Sequence, residues 1–298
     1  MAMKKTHDKK WSAFYVVCCM VLVLYTLSLF IPVLWAIITS FKDITTDWWM
    51  DNYTGLPKNW AWQNYVYVFN KYLYPITLEN GTPAYVGVVG MFQNSFVYAL
   101  GCAFCKTAIP LTMSFLCARF PCKFSKVIHT TVVVTMILPV VGSLPAEIKM
   151  AHTLGLYDSI LGLYFMKSNF LGMYFLVFYS TFKAFSPAYI EAAKLDGANN
   201  FSVFFRIVLP LVKNTFFTVM LVEFIIFWND YQIPLVYLPN HPTLAQGMYK
   251  MGTSKDSFLT LAPMRLAGAM IMFVPLFTVF IIFHKKFMGN LTMGGVKG

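Results

Sequence analysis

Charge is what this chain has least of. Of its 298 residues only 12% are Asp, Glu, Lys or Arg, and the acidic ones number twelve. Soluble domains average about 25% charged residues, and with 58% of the chain hydrophobic a soluble globule is excluded in favour of an integral membrane protein. Disulfide chemistry is equally poorly provided for. The six cysteines (Cys18, Cys19, Cys102, Cys105, Cys117 and Cys122) lie in or beside apolar runs, and Cys102-x-x-Cys105 reads as two small apolar residues on one helix face. Five scattered histidines with no His-Glu-x-x-His spacing predict no metal site. A phosphate-binding loop is also missing: Gly247-x-x-x-x-Gly252-Thr253 lacks the lysine such a loop needs. Any ATP that drives this protein is therefore expected on another subunit. No cluster of nucleophile, base and metal ligand suggests an enzyme.

What the chain does have is long apolar runs. Six spans are predicted, over 11–39, 93–116, 127–145, 169–185, 214–235 and 263–283. The fourth is the weakest, because Lys167-Ser168-Asn169 cuts its apolar run. Lys and Arg concentrate in alternate, shorter segments: Lys4, Lys5, Lys9 and Lys10, then Arg119, Lys123 and Lys126, then Lys183, Lys194, Arg206 and Lys213, then Lys285, Lys286 and Lys297. By the positive-inside rule both termini are expected in the cytoplasm. The net charge of +11 thus reports membrane orientation, and no nucleic-acid partner is implied. The resulting organisation is a cytoplasmic N-terminus over 1–10, a first helix over 11–39 that is too long for a cleaved signal, an outer loop over 40–92, a core over 93–284, and a cytoplasmic tail over 285–298. Trp48, Trp49, Trp60 and Trp62 of the outer loop read mainly as an interfacial aromatic belt.

One polar stretch, Glu191 to Pro210, interrupts the hydrocarbon. It predicts two short helices joined by a tight turn. Ser186 is a candidate cap for the first helix and Pro187 suits its first turn. Asp196-Gly197 is a turn pair in which Gly197 can take a positive φ. Asn199 or Asn200 can cap the second helix, Phe201, Phe204 and Phe205 give it an apolar side, and Pro210 is expected to end it. A rigid helix–turn–helix between two spans, on the side where ATP is, is a docking element. Within the spans, Lys106 and Glu223 are isolated charges, each expected to be paired or water-exposed in the bundle.

Glu191-Ala192-Ala193, then Asp196-Gly197-Ala198, then Ile207 with Leu209-Pro210 resemble the EAA loop (186–212 here) of ABC-importer permeases. The resemblance extends to Asn94-Ser95, Ala118-Arg119-Phe120, Met136-Ile137-Leu138-Pro139, Leu154-Gly155-Leu156 with Asp158, and Trp228-Asn229-Asp230 with Pro234-Leu235. The tail Gly294, Val296, Lys297 and Gly298 is similar to the Gly-x-Val-Lys-Gly ending of the second permease of a carbohydrate-importer pair of the maltose and multiple-sugar group.

The resemblance implies an all-α polytopic fold, the type I ABC importer permease fold, with six transmembrane helices and cytoplasmic EAA coupling helices. It implies a bacterial cytoplasmic membrane, a second homologous permease, two cytoplasmic ATPase subunits that hold ATP and Mg, an extracytoplasmic solute-binding protein and a carbohydrate substrate. No cofactor is implied on this chain itself. Glu191, Ala192, Ala193, Asp196, Gly197, Ala198, Arg206 and Pro210 are implied in ATPase coupling, with Glu191 paired to an arginine there and Lys297 carrying a tail contact. Lys106, Glu223, Trp228, Asn229 and Asp230 are the candidates for the translocation path. A permease for polyamines, phosphate or peptides, or an ion-coupled carrier, competes with the sugar reading. The carrier is weakened by the lack of a duplicated half.

Overall fold

The computed structural model describes residues 13–291 apart from 79, 121, 139–141 and 187. Two compact units emerge, one of residues up to 68 with 254–271, the other of 69–253 with the residues from 272 onward.

The first unit opens with α1, Ala13–Ser40, an apolar helix that carries Pro32 within it. The chain after it is folded rather than a mere string of interfacial aromatics. Lys42 is fully buried and donates from Nζ to the Asn52 carbonyl at 2.6 Å. Asp47, also buried, accepts from Asn52 Nδ2 and the Lys58 N–H. Asn64, in α2 (Gln63–Lys71), reaches back to the carbonyls of Ser40 and Lys42 at 2.9 Å each. Phe41 packs against Trp60, Trp62 and Tyr65, while Trp49, Trp60 and Trp62 keep more than half of their surface exposed. Tyr67 donates to Asp256 at 2.7 Å, tying the two sequence segments of this unit together.

The second unit begins with a feature that corrects the all-α expectation. β1 (Leu73–Thr77) and β2 (Pro83–Gly87) form an antiparallel hairpin in which Leu73 faces Gly87. Its turn holds Gly81 at φ +78°, with Asn80 Oδ1 accepting from the Thr82 N–H. An Asn-Gly pair beside Tyr, Ile and Thr is ordinary hairpin chemistry. α3, Val88–Arg119, follows directly and forms the spine of the unit, with Pro110 inside it. Against it pack α6 (Ile160–Lys167), α7 (Met173–Ala184) and α10 (Leu209–Asn229). A core of Leu111, Phe115, Phe178, Phe182, Val203, Val208 and Val212 binds α3, α7 and the start of α10. α12 (Leu244–Met251) is pinned to α3 by Ser95 Oγ, which accepts from the Leu244 N–H at 2.6 Å. Tyr72 donates to the Gly247 carbonyl and Gln246 to Tyr74, so α12 also holds the hairpin.

Among the described residues four helical stretches are long and apolar enough to cross a membrane: Phe14–Ser40, Val88–Arg119, Asn200–Asn229 and Ala262–Phe283, the last within α13 (Ala262–Leu291). The other predicted spans take a different form. α4, Lys123–Ile137, has 15 residues, and Pro145 falls in the next helix, α5 (Leu144–Thr153). The fourth predicted span, 169–185, is reduced to the 12 residues of α7, because Gly172 at φ +136° and the polar run 167–169 unwind the chain between it and α6, which lies before that span. The fifth ends early, at Asn229, where Asp230 Oδ1 accepts from the N–H groups of Gln232 and Ile233 and starts a new helix, α11 (Gln232–Tyr237).

α6 contains a position with no room. Ser159 Oγ caps this helix by accepting from the Gly162 N–H, and a Cβ on Gly162 would sit 2.1 Å from the Leu156 carbonyl oxygen. Backbone cannot step aside as a side chain can. Gly162→Ala is therefore expected to destabilise the protein by about 1–3 kcal/mol. Thermal unfolding of the purified protein, followed by size-exclusion chromatography, would show a lowered midpoint; an unchanged midpoint would refute the close fit.

Candidate functional site

The polar stretch folds at its first half as its residues predict. α8, Ala188–Leu195, starts where Ser186 Oγ accepts from the Ala188 N–H at 3.3 Å; Pro187 lies outside the described residues. The helix closes with a complete pair of terminal bonds. The Gly197 N–H reaches the Lys194 carbonyl at 3.0 Å and the Ala198 N–H reaches Ala193 at 2.9 Å. That pair needs a left-handed residue between them, and Gly197 supplies it at φ +80° with open space where a Cβ would be. Asn199, rather than Asn200, caps the next helix, accepting from the Ser202 N–H at 2.8 Å. α9, Asn200–Val203, begins there.

The second half departs from expectation. Pro210 does not end the helix: the chain stays helical from Asn200 to Asn229. Proline at 210 offers no N–H to the turn before it and its ring crowds that turn. A π-type turn over Phe204–Val208 absorbs the conflict, with the Leu209 N–H bonding five residues back to the Phe204 carbonyl. A wider turn moves the carbonyls away from the ring. The polar stretch is thus one short helix followed by the tip of a long one, so its second half is continuous with α10.

The surface of this element is divided. Ala193 is buried and Ala198 packs against the core. Glu191, Ala192, Asp196, Gly197, Arg206 and Pro210 are exposed. Leu195, Phe201 and Phe205 expose 89%, 76% and 56% of their surface, so of the three expected apolar residues only Phe204 turns inward. Glu191 and Lys194 line a cavity of about 200 Å³ together with Arg119, Phe120 and Asn200. Arg119, at the end of α3, donates from Nη2 to the carbonyl of Phe185 at 3.0 Å. Phe185 is the joint between α7 and α8, so one guanidinium ties three helices. Its Nε is buried and makes no hydrogen bond among the described residues. Sequence reasoning registered Arg119 as a positive residue closing a span and as part of the Ala118-Arg119-Phe120 resemblance, without a partner; its role depends on a chain reversal that brings residue 185 beside residue 119.

The five candidates inside the spans separate into structural and polar groups. Trp228 is buried, donates to the Met272 carbonyl at 3.2 Å and packs edge-on against Phe92. Asp230 accepts from the Tyr98 hydroxyl at 3.0 Å while capping α11. Asn229 bonds back to the Ile225 carbonyl of its own helix. Lys106 and Glu223 do not form an ion pair with each other. Lys106 Nζ donates to Asn169 Oδ1 at 3.1 Å, and the buried Glu223 carboxylate accepts from the Tyr174 hydroxyl. Asn169 and Tyr174 escaped notice in the sequence, though the interruption that places Asn169 there was visible. Lys297 lies outside the described residues.

An exposed, capped turn joined to a long helix, and polar groups between helices, suit the transmission of movement and the passage of a solute. Residues 112–288 match the family of binding-protein-dependent transport system inner membrane components. The chain is 23% identical over 278 residues to the diacetylchitobiose uptake system permease protein NgcG of Streptomyces coelicolor, across 92% of this chain and 86% of that one. It is 26% identical over 250 residues to the arabinooligosaccharides transport system permease protein AraQ of Bacillus subtilis, covering 81% of each. Among solved structures, a chain of a bacterial ABC transporter involved in the import of the acidic polysaccharide alginate matches with a TM-score of 0.73 at 19% identity, over 95% of this chain and 99% of that one. At that identity the likeness is one of fold.

Proposed function

The chain belongs to the family of binding-protein-dependent transport system inner membrane components, and on that premise we propose that it is one of two permease subunits of an ATP-driven sugar or oligosaccharide importer. The observation that carries the reading is the capped α8–Gly197–α9 element, built into a chain whose relatives are permeases of saccharide uptake systems. With a homologous second permease it forms the pore. Two cytoplasmic ATPase subunits, which hold ATP and Mg, grip the element through Glu191, Ala192, Asp196 and Arg206. A solute-binding protein delivers sugar from outside. Glu191 faces an arginine of the ATPase, and the exposed Leu195, Phe201 and Phe205 are covered in the assembly. Lys297 supplies a further contact from the tail.

Six crossings are assigned in this reading. α1, α3, α10 and α13 provide four, α4 a short fifth, and α6 with α7 a discontinuous sixth. The positive-inside bias sets both termini in the cytoplasm of a bacterium. This chain performs no hydrolysis itself. Because the Asn199-capped helix runs without a break into α10, closure of the ATPase pair moves α10 as a lever. Reconstitution tests the whole. Vesicles holding both permeases and the ATPase should take up an oligosaccharide only with ATP inside and the binding protein outside, and ionophores should have no effect. Uptake that collapses with an ion gradient and ignores ATP would identify an ion-coupled carrier instead.

A further inference from the structure

The gap between α6 and α7 holds a group of polar residues that the coupling element does not use. α7 runs only from Met173 to Ala184, about 18 Å of helix, so the unwound residues 168–172 lie well inside the membrane on the six-crossing reading. Unwound backbone at that depth is stable only where protein covers it or where it lines a watery cavity. Four helices bring side chains to this gap. Lys106, nearly midway along α3, donates to Asn169 at 3.1 Å. Lys167 closes α6 at the edge of the gap, two residues before Asn169. Glu223 comes from α10 and is held by the Tyr174 hydroxyl of α7.

The charges do not balance. Two ammonium groups share one carboxylate, and that carboxylate is buried and already occupied by Tyr174. Lys106 has as its hydrogen-bond partner a neutral amide, and it is only half-buried. A surplus cation at this depth cannot face lipid without heavy cost. It needs an anion or water beside it. Discontinuous helices near the midplane are where transporters place solute groups, and a lysine pair beside an amide has the donors for a carboxylate and for hydroxyls.

On the sugar-importer reading, we propose that Lys106, Lys167 and Asn169 form a subsite in the translocation path that takes the carboxylate of an acidic saccharide. The ammonium groups hold the carboxylate, Asn169 orients Lys106 and offers its amide to a ring hydroxyl, and Glu223 keeps the two lysines from repelling each other.

The test uses the complete importer in nanodiscs and two probes of equal length, digalacturonate and its neutral counterpart galactobiose, measured by equilibrium binding. Digalacturonate should bind about tenfold more tightly, the value of roughly one charge-assisted hydrogen bond. Added salt should erode that preference. Lys106→Arg should keep it and Lys106→Gln should lose it, with Lys167→Gln carrying the same expectation should the first fail to assemble. Lys149→Gln, an exposed lysine of α5, should bind as the natural protein does. Equal affinities for the two probes, or no binding of either, in a complex that still imports sugar with ATP would overturn the subsite and leave the transport reading intact. A preference that survives Lys106→Gln and Lys167→Gln alike would place the anion elsewhere. Binding of digalacturonate as expected, in a complex that imports no saccharide, would overturn the transport reading instead.

Discussion

Gly197→Val is expected to leave the permease inserted in the membrane while abolishing its hold on the ATPase subunits. Gly197 sits at φ +80°, and a Cβ placed there would meet nothing within 4 Å. The cost of a side chain is therefore conformational and not steric contact with a neighbour, roughly 1–2 kcal/mol for an L-residue forced into the left-handed region, and Val is stiffer there than most. Relief of that strain breaks the two bonds that close α8, from Gly197 to Lys194 and from Ala198 to Ala193. The exposed Asn199 cap then swings, and with it the angle between α8 and α9. Gly197→Asn is the informative companion, because Asn tolerates positive φ; it should retain the ATPase. Co-purification of the ATPase with tagged permease measures both. If the Val variant brings down as much ATPase as the natural chain, the turn is not a docking requirement.

How much of this was legible in the sequence differs sharply between turns and packing. The Asp196-Gly197 turn, the Asn199 cap and the Ser186 cap are written in neighbouring residues, and local hydrogen bonds satisfy them without help from the rest of the chain. Three of the long apolar helices were equally plain, because a run such as Ala13–Ser40 has no other way to satisfy its backbone in lipid. Pro210 shows where local rules stop. Proline normally ends a helix, yet here burial of Val203, Val208 and Val212 against α3 and α7 holds both sides of it in line, and a π-type turn costs less than undoing that packing. Asn80-Gly81 carried a hairpin signal that the expected outer loop over 40–92 left out. The break ahead of the fourth span was half visible: Lys167-Ser168-Asn169 marked an interruption, but which helices would turn polar groups toward it could not be read from one segment. Lys106 and Glu223 were recognised as charges needing partners, whereas Asn169 and Tyr174, the partners they take, are ordinary residues until the chain folds back.

Arg119→Leu is expected to uncouple ATP hydrolysis from transport with little loss of assembly. The guanidinium is the only side chain among the described residues that donates to the Phe185 carbonyl at the α7–α8 joint, and it does so from the end of the spine helix α3. Leucine keeps an apolar side chain in the space that Arg119 lines with Phe115 and Phe182 but removes the charged donor, a loss of about 1.5–3 kcal/mol for a hydrogen bond from an ionised group. The docking helix α8 would still form, because its caps come from Ser186 and Gly197, so the ATPase subunits should remain bound. What changes is the stiffness of the joint through which α8 pushes on α3. Movement of the ATPase would then go into bending the chain at Phe185 rather than into displacing the spine. The measurement is sugar imported per ATP hydrolysed in reconstituted vesicles, with the melting temperature as a control on folding. The ratio should fall several-fold in Arg119→Leu. Lysine, which keeps the charge and one donor but cannot reproduce the planar fork, should recover part of it. A ratio equal to that of the natural protein in the leucine variant would reduce Arg119 to a packing residue and move the transmission of force to α10, whose unbroken run from the Asn199 cap offers the alternative route.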